Sequence, residues 1–173
     1  MVTIISGTNR PGSTTAKVAA IYAKTLTGIG IESQVFSLEE LPADFAFSYL
    51  QDRQNGDFRK LLEKYILPAD RIVAVIPEYN GTFPGIFKLL LDAIHPRNLA
   101  HKKMALVGVA NGRGGNIRGI DQITNALHYM GVTVYHQVLP LSRLSEGTSA
   151  SGAIDDANVL NAIKKQAEGF VKF

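Results

Sequence analysis

The 173-residue sequence predicts an α/β domain: a doubly wound, five-stranded parallel sheet with helices on both faces. Three observations lead there. Five apolar runs of strand length alternate with segments of helical periodicity from one end of the chain to the other. The third and fourth runs, IVAVI and MALVGVA, are nearly continuous, as strands covered on both faces should be. The first, third and fourth runs each empty into a loop crowded with Gly, Pro, Asn or hydroxyl residues, where a doubly wound sheet binds its ligands.

The first strand is expected over 2–6 (VTIIS). A helix over 13–26 opens on hydroxyl residues that can cap it and carries Val18, Ile21, Tyr22 and Leu26 on one face. The second strand is expected over 32–38. Segment 41–55 is harder to place: Phe45, Phe47 and Tyr49 fit either core packing or a subunit contact. A helix over 57–67 presents Phe58, Leu61, Leu62 and Tyr65, and the third strand follows at 71–76. The helix over 85–94 is apolar on more than one side, so beyond covering the sheet it calls for a second partner; a homodimer or dimer-based homo-oligomer is the expectation. After the fourth strand, 103–110, a helix over 117–130 stops before Gly131. The fifth strand is expected over 132–139. The stretch SEGTSASG, 145–152, joins it to a closing helix over 155–173, with Ile154, Val159, Leu160 and Ile163 facing inward. Nothing marks a domain boundary, so residues 1–173 read as one domain.

Composition narrows the chemistry. Hydrophobic residues make up 46% and charged residues 19%, the balance of a globular protein. There is no cysteine, which removes disulfides, thiol nucleophiles and Cys-based metal centres; redox chemistry would belong to a bound cofactor. The net charge of +3 and pI near 9.2 come from scattered Lys and Arg, which does not point to nucleic acid; a small anionic ligand and a plain solvated surface account for the surplus equally well. His95, His101, His128 and His136 lack metal-ligand spacing, and no Gly-x-Ser-x-Gly elbow is present. Without a basic leader or an apolar run of membrane-spanning length, the expected compartment is the cytoplasm.

The loop after the first strand reads Gly7-Thr8-Asn9-Arg10-Pro11-Gly12-Ser13-Thr14-Thr15. Two glycines permit a tight turn, Thr8, Ser13, Thr14 and Thr15 add hydroxyls, and the helix N-terminus directs free N–H groups into the same space. Arg10 adds a full charge with a fork suited to phosphate oxygens. A single cap would need one hydroxyl; this set points to an anion. The Gly7-x-x-x-x-Gly12 spacing imitates a Walker A loop, but Ser13 stands where its lysine belongs, and the dinucleotide pattern G-x-G-x-x-G is absent. A terminal monophosphate fits best.

After the third strand come Pro77-Glu78-Tyr79-Asn80-Gly81-Thr82-Phe83-Pro84-Gly85, where Tyr79 offers a flat face and Asn80 both donor and acceptor. After the fourth come Asn111, Gly112, Gly114 and Gly115, whose backbone N–H groups could face a ring edge. The opening loop and the Pro-Glu-Tyr-Asn motif together resemble the NAD(P)H-dependent FMN reductase family of flavodoxin-like proteins, which includes flavin, quinone, chromate and azo-dye reductases. Its pattern reads Gly-Ser-x-Arg-x-x-Ser-x-Asn, then Pro-Glu-Tyr-Asn-x-Ser-x-Pro-Gly-x-x-Lys-Asn-x-x-Asp-Trp, and the likeness spans 4–131.

The resemblance implies that Thr8, Arg10, Ser13 and Thr15 hold the phosphate of FMN. It implies that Pro77, Glu78, Tyr79 and Asn80 line the ring and ribityl chain. Gly114, Gly115 and Arg118 match the family's third loop; Arg118 serves either the nicotinamide cofactor or a plain helix face. Lys88 and Asp92 also match, or are simply a pair four residues apart on a helix surface. Thr8, Thr15 and Thr82 replace the pattern's Ser, Asn and Ser, whereas Leu89 and Ala93 stand for its Asn and Trp. The implied protein is an FMN-containing oxidoreductase that passes hydride from NADPH or NADH to a small acceptor. A flavodoxin-type electron carrier, usually an acidic monomer, is the competing class, and a non-enzymatic flavin-binding protein is a third.

Overall fold

The computed structural model describes residues 1–52, 56–145 and 153–173. In chain order they form β1 (Val2–Ser6), α1 (Thr14–Gly28), β2 (Ser33–Ser37), α2 (Phe45–Asp52) and α3 (Asp57–Leu61). There follow β3 (Arg71–Pro77), α4 (Gly85–Ala93), β4 (Lys103–Val109) and α5 (Ile117–Tyr129). The chain ends in β5 (Thr133–Val134), β6 (Leu139–Leu141) and α6 (Ala157–Phe170). All strand pairs are parallel, in the order β2-β1-β3-β4-β5, with β6 also on β4. The winding direction reverses between β1 and β3, which opens a crevice at their C-terminal ends.

Strand periodicity divides the core into two layers. Ile4, Val73, Val75 and Val107 pack on one face with Val18, Tyr22 and Leu26 of α1 and Ile163 and Phe170 of α6. Ile5, Ile72, Ala74, Ile76 and Leu106 pack on the other with Phe45, Phe58, Phe87, Leu90, Ile123 and Leu127. The inner strands β1, β3 and β4 are buried on both faces, hence their unbroken apolar runs. Ser13 caps α1 by accepting from the Ala16 N–H at 3.1 Å. Gly131, at φ +75°, ends α5 where expected, with Val132 N–H donating to the Leu127 carbonyl at 3.0 Å.

Three local expectations need correction. The strand expected over 132–139 is two short segments. β5 pairs with Lys103 and Met104, β6 with Val107 to Val109, and the Leu106 carbonyl is left in the gap. Gln166 of α6, 4% exposed, fills it by donating to the carbonyls of Leu106 (3.1 Å) and Gln137 (2.8 Å). A side chain thus replaces a rung of the ladder, and Pro140, which has no N–H, keeps β6 short. The helix expected over 57–67 loosens into a π-turn at Leu62–Ile66. There Thr3 Oγ1 donates to the Tyr65 carbonyl (2.6 Å) and Gln34 Nε2 to that of Lys64 (2.9 Å). Leu160 does not face inward; it is 37% exposed and lines a groove between α1 and α6. Segment 41–55 contains α2, in which Phe45 is core and Phe47 is 86% exposed. Residues 53–55 and most of the 145–152 connection lie outside the described residues.

One core group makes folding pH-dependent. The fully buried Tyr22 hydroxyl has no hydrogen-bond partner among the described residues. Burial pushes its ionisation well above the ordinary tyrosine range, and the nearby Tyr135 adds to the rise. Because the folded value is raised, this contribution to stability is complete below pH ~10 and is lost as pH climbs beyond the unfolded value. Tyr22→Phe should therefore match the wild type near neutrality and lose stability less steeply above pH ~10. Identical alkaline slopes in denaturant titrations would contradict this.

Candidate functional site

At the tip of β1 the chain must pass close to β3. Gly7 N–H donates to the Val75 carbonyl at 2.8 Å, and a Cβ at Gly7 would lie 2.7 Å from that same oxygen. Thr8 follows, fully buried, its hydroxyl 2.8 Å from the Tyr79 hydroxyl and accepting from the Arg10 N–H at 3.2 Å. Anchored there, the loop swings outward through Arg10, Pro11 and Gly12, the last at φ +62°, and enters α1 at Ser13. Ser13 occupies only the third amide of the helix, so the amides of Thr14 and Thr15 keep no intrahelical acceptor and the positive end of α1 faces the crevice.

The β3–α4 loop is equally fixed. Glu78 N–H donates to the Val109 carbonyl at 2.9 Å, tying the tip of β3 to β4. Tyr79 and Thr82 exchange backbone hydrogen bonds of 2.8 and 3.2 Å around Asn80 (φ +53°) and Gly81 (φ +79°). Two successive left-handed residues are what a tight two-residue turn requires, and Asn-Gly supplies them at little strain. Thr82 Oγ1 donates to Gln122 of α5, closing the far side.

The β4–α5 loop folds back over its own strand. Gly108 permits this: a Cβ there would lie 2.0 Å from the Gly115 carbonyl oxygen. Gly115 (φ +53°) presses on Pro140, where a Cβ would meet backbone at 2.7 Å.

The three loops enclose adjoining cavities. The first, about 410 Å³, is walled by Arg10 to Thr15, Pro77 to Tyr79, and Val109 to Asn111. The second, about 440 Å³, lies over Asn9, Arg10, Glu78, Tyr79 and Asn80. The third, about 260 Å³, lies among Glu78, Gly112, Arg113, Gly114, Ile117 and Arg118. Glu78 borders all three and is their one carboxylate among the described residues, against the guanidinium groups of Arg10, Arg113 and Arg118. Such a space favours a ligand with an anionic end and a planar body.

Of the residues singled out from sequence, Arg10, Ser13, Thr14, Thr15, Pro77, Glu78, Tyr79 and Asn111 line the first cavity. Asn80 lines the second, and Gly112 and Gly114 the third. Thr8 and Gly115 stand behind the walls, Thr8 joining two loops and Gly115 seated on Pro140. Lys88 and Asp92 form an exposed ion pair at 2.6 Å. Sequence reasoning missed Gly108 and Asn116. A glycine inside a buried strand is a signal for close backbone approach; nothing in the spacing marks the asparagine.

Comparison with known proteins identifies relatives of the chain. Residues 1–144 match the model of the NADPH-dependent FMN reductase family. An NADPH azoreductase from Bacillus sp. strain OY1-2 is 28% identical over 144 residues, 83% of this chain and 75% of that protein. An FMN reductase (NADPH) from Pseudomonas aeruginosa is 28% identical over 94 residues, 54% of this chain and 50% of that protein. The chain thus spans between half and three quarters of the relatives it matches. Among solved structures, a flavoenzyme NAD(P)H:(acceptor) oxidoreductase from Paracoccus denitrificans superposes with a TM-score of 0.77 at 21% identity, covering 99% of this chain and 94% of its own. An archaeal flavodoxin superposes with a TM-score of 0.66 at 15% identity, covering 99% of this chain and 97% of its own. The fold is flavodoxin-like, and with five-sixths of its length matched the chain belongs to the NADPH-dependent FMN reductase family.

Proposed function

We propose that this protein binds FMN at the tips of β1, β3 and β4 and, as a homodimer or dimer-based homo-oligomer in the cytoplasm, reduces a small acceptor with electrons from NADPH or NADH. The observation that carries the reading is the convergence of three rigid loops on one crevice. One has free helix amides and Arg10; the other two have glycine-rich or Pro-Glu-Tyr-Asn backbone. The donor set fits the cofactor, because a phosphate needs N–H groups and a guanidinium, whereas a polar ring edge needs backbone donors and acceptors.

When bound, FMN supplies the centre that takes hydride from the nicotinamide and gives it to the acceptor. The protein's part is positioning. Arg10, Ser13, Thr14 and Thr15 would hold the phosphate, while Glu78, Tyr79, Asn80, Asn111, Gly112 and Gly114 would orient the ring and ribityl chain. Arg113 and Arg118, exposed beside the third cavity, would draw the anionic nicotinamide cofactor toward it. Donor and acceptor would use one opening in turn, so quinones, free flavins, azo compounds and metal oxyanions form the candidate set. Steady-state oxidation of NADPH with each acceptor at varied concentration tests this. Parallel double-reciprocal lines are expected for at least one of them, and no turnover with any would defeat the reading.

The Tyr79 hydroxyl contributes through Thr8, joining the phosphate loop to the ring loop. Tyr79→Phe should weaken FMN binding by about fivefold, the worth of one hydrogen bond of ~1 kcal/mol. A fluorescence-quenching titration measures it, and unchanged affinity would sink the role.

The dimer reading draws support from a surface hollow beside an exposed aromatic side chain. Between α4 and α5 lies a hollow of about 320 Å³ bordered by Leu91, Ile94 and Met130, beside Tyr129, which is 92% exposed. Sedimentation showing only an 18.7 kDa species at micromolar concentration would exclude it.

A further inference from the structure

We infer that Asn116 is a positioning residue that sets the spacing between the two ring-side loops, at the expense of the helix it begins. The inference rests on the flavin reading above. Asn116 is the N-cap residue of α5, where an asparagine side chain ordinarily accepts from the helix's own amides. Here it makes no such bond. Its backbone is left-handed, φ +62° and ψ +29°, and the residue is 1% exposed. The amide Nδ2 instead donates to the carbonyls of Ile76 (3.1 Å) and Pro77 (3.0 Å), 40 and 39 residues back at the tip of β3. Its Oδ1 is buried without a hydrogen-bond partner among the described residues.

Each of these features costs folding free energy: an unfilled cap, a left-handed non-glycine residue and an orphaned acceptor. What they secure is geometric. Pro77 leads directly into Glu78 and Tyr79, and Asn116 directly follows the glycine loop, so its two hydrogen bonds join the second and third walls of the crevice. Neighbouring residues hold the side chain in place. Gly108 lets Gly115 lie against β4, and a Cβ at Gly119 would come within 2.3 Å of Asn116 Oδ1. Local departures from good helix-capping chemistry that serve a contact across the site are expected where function sets the geometry.

Asn116→Gly separates the possibilities. Glycine keeps the left-handed backbone without strain and is tolerated at N-caps, so the variant should fold; only the bridge is lost. Asn116→Asp, which replaces the donor by a carboxylate facing two carbonyl oxygens, is the second variant.

Two readouts are needed on the full chain. Amide hydrogen exchange without flavin should quicken in 78–80 and 110–116 while α1 and the 10–15 loop stay unchanged. In binding titrations FMN and riboflavin should weaken by the same factor, about tenfold for Asn116→Gly and more for Asn116→Asp, with a changed visible circular dichroism of the bound flavin. Faster exchange spread over the whole domain, or wild-type exchange at both loops, would overturn the inference. So would loss of FMN affinity with riboflavin untouched. A wild-type protein that binds neither flavin would instead defeat the flavin reading, while exchange would still report whether the bridge exists.

Discussion

Gly108→Ala is expected to cost about 3 kcal/mol of stability and to abolish retention of FMN during gel filtration. The added methyl group would lie 2.0 Å from the Gly115 carbonyl oxygen and 2.9 Å from Ile120 Cδ1. Neither side can yield easily. β4 is held by β3 on one edge and by β5 and β6 on the other, and Gly115 is pressed between Gly108 and Pro140. The strain is relieved only by lifting the 110–116 loop, which opens the first and third cavities together. Urea unfolding gives the stability and flavin absorbance of the eluted protein gives retention. Gly28→Ala, where nothing lies within 4 Å, is the matched control and should stay within ~0.5 kcal/mol of wild type. If Gly108→Ala behaved like that control, the close packing of loop on strand would not be what shapes the crevice.

Arg10→Ala should weaken FMN about 10- to 100-fold, the range of a hydrogen bond to a charged group at ~1.5–3 kcal/mol. Riboflavin, the same ring without the phosphate, should bind as it does to wild type. Arg10 is exposed and borders both the first and second cavities, so its removal leaves the core untouched. Arg10→Lys should fall between the two, keeping the charge but not the planar fork. Equal losses for FMN and riboflavin would place the phosphate elsewhere.

The two effects differ in how far the sequence announces them. The loop carrying Arg10 is legible because its chemistry is local: glycines, hydroxyls and a cation cluster in nine consecutive residues before a helix. The inner strands are legible for a similar reason, since burial on both faces leaves an apolar run whatever the partners are. The edge of the sheet is not, because Gln166 supplies a ladder rung from α6 and no periodicity in 132–141 records that. The π-turn after α3 likewise depends on Thr3 and Gln34, which reach across from β1 and β2. Asn116 is the extreme case. Read along the chain it is one more polar residue beside a glycine pair, and its meaning lies in two carbonyls about 40 positions away. Thr8 shows the same limit from the other side: a hydroxyl in a phosphate-binding pattern whose bonds in the fold run to Tyr79 and the Arg10 amide.

The most direct test is an anaerobic titration of the FMN-loaded protein with NADPH, followed at the flavin band near ~450 nm. The account predicts that the band bleaches in proportion to added NADPH, reaching completion near one equivalent per bound flavin, and returns when a quinone is admitted. A band that persists through excess NADPH and NADH alike, in protein that holds FMN, would contradict nicotinamide-linked reduction and leave a flavin-binding protein of another kind.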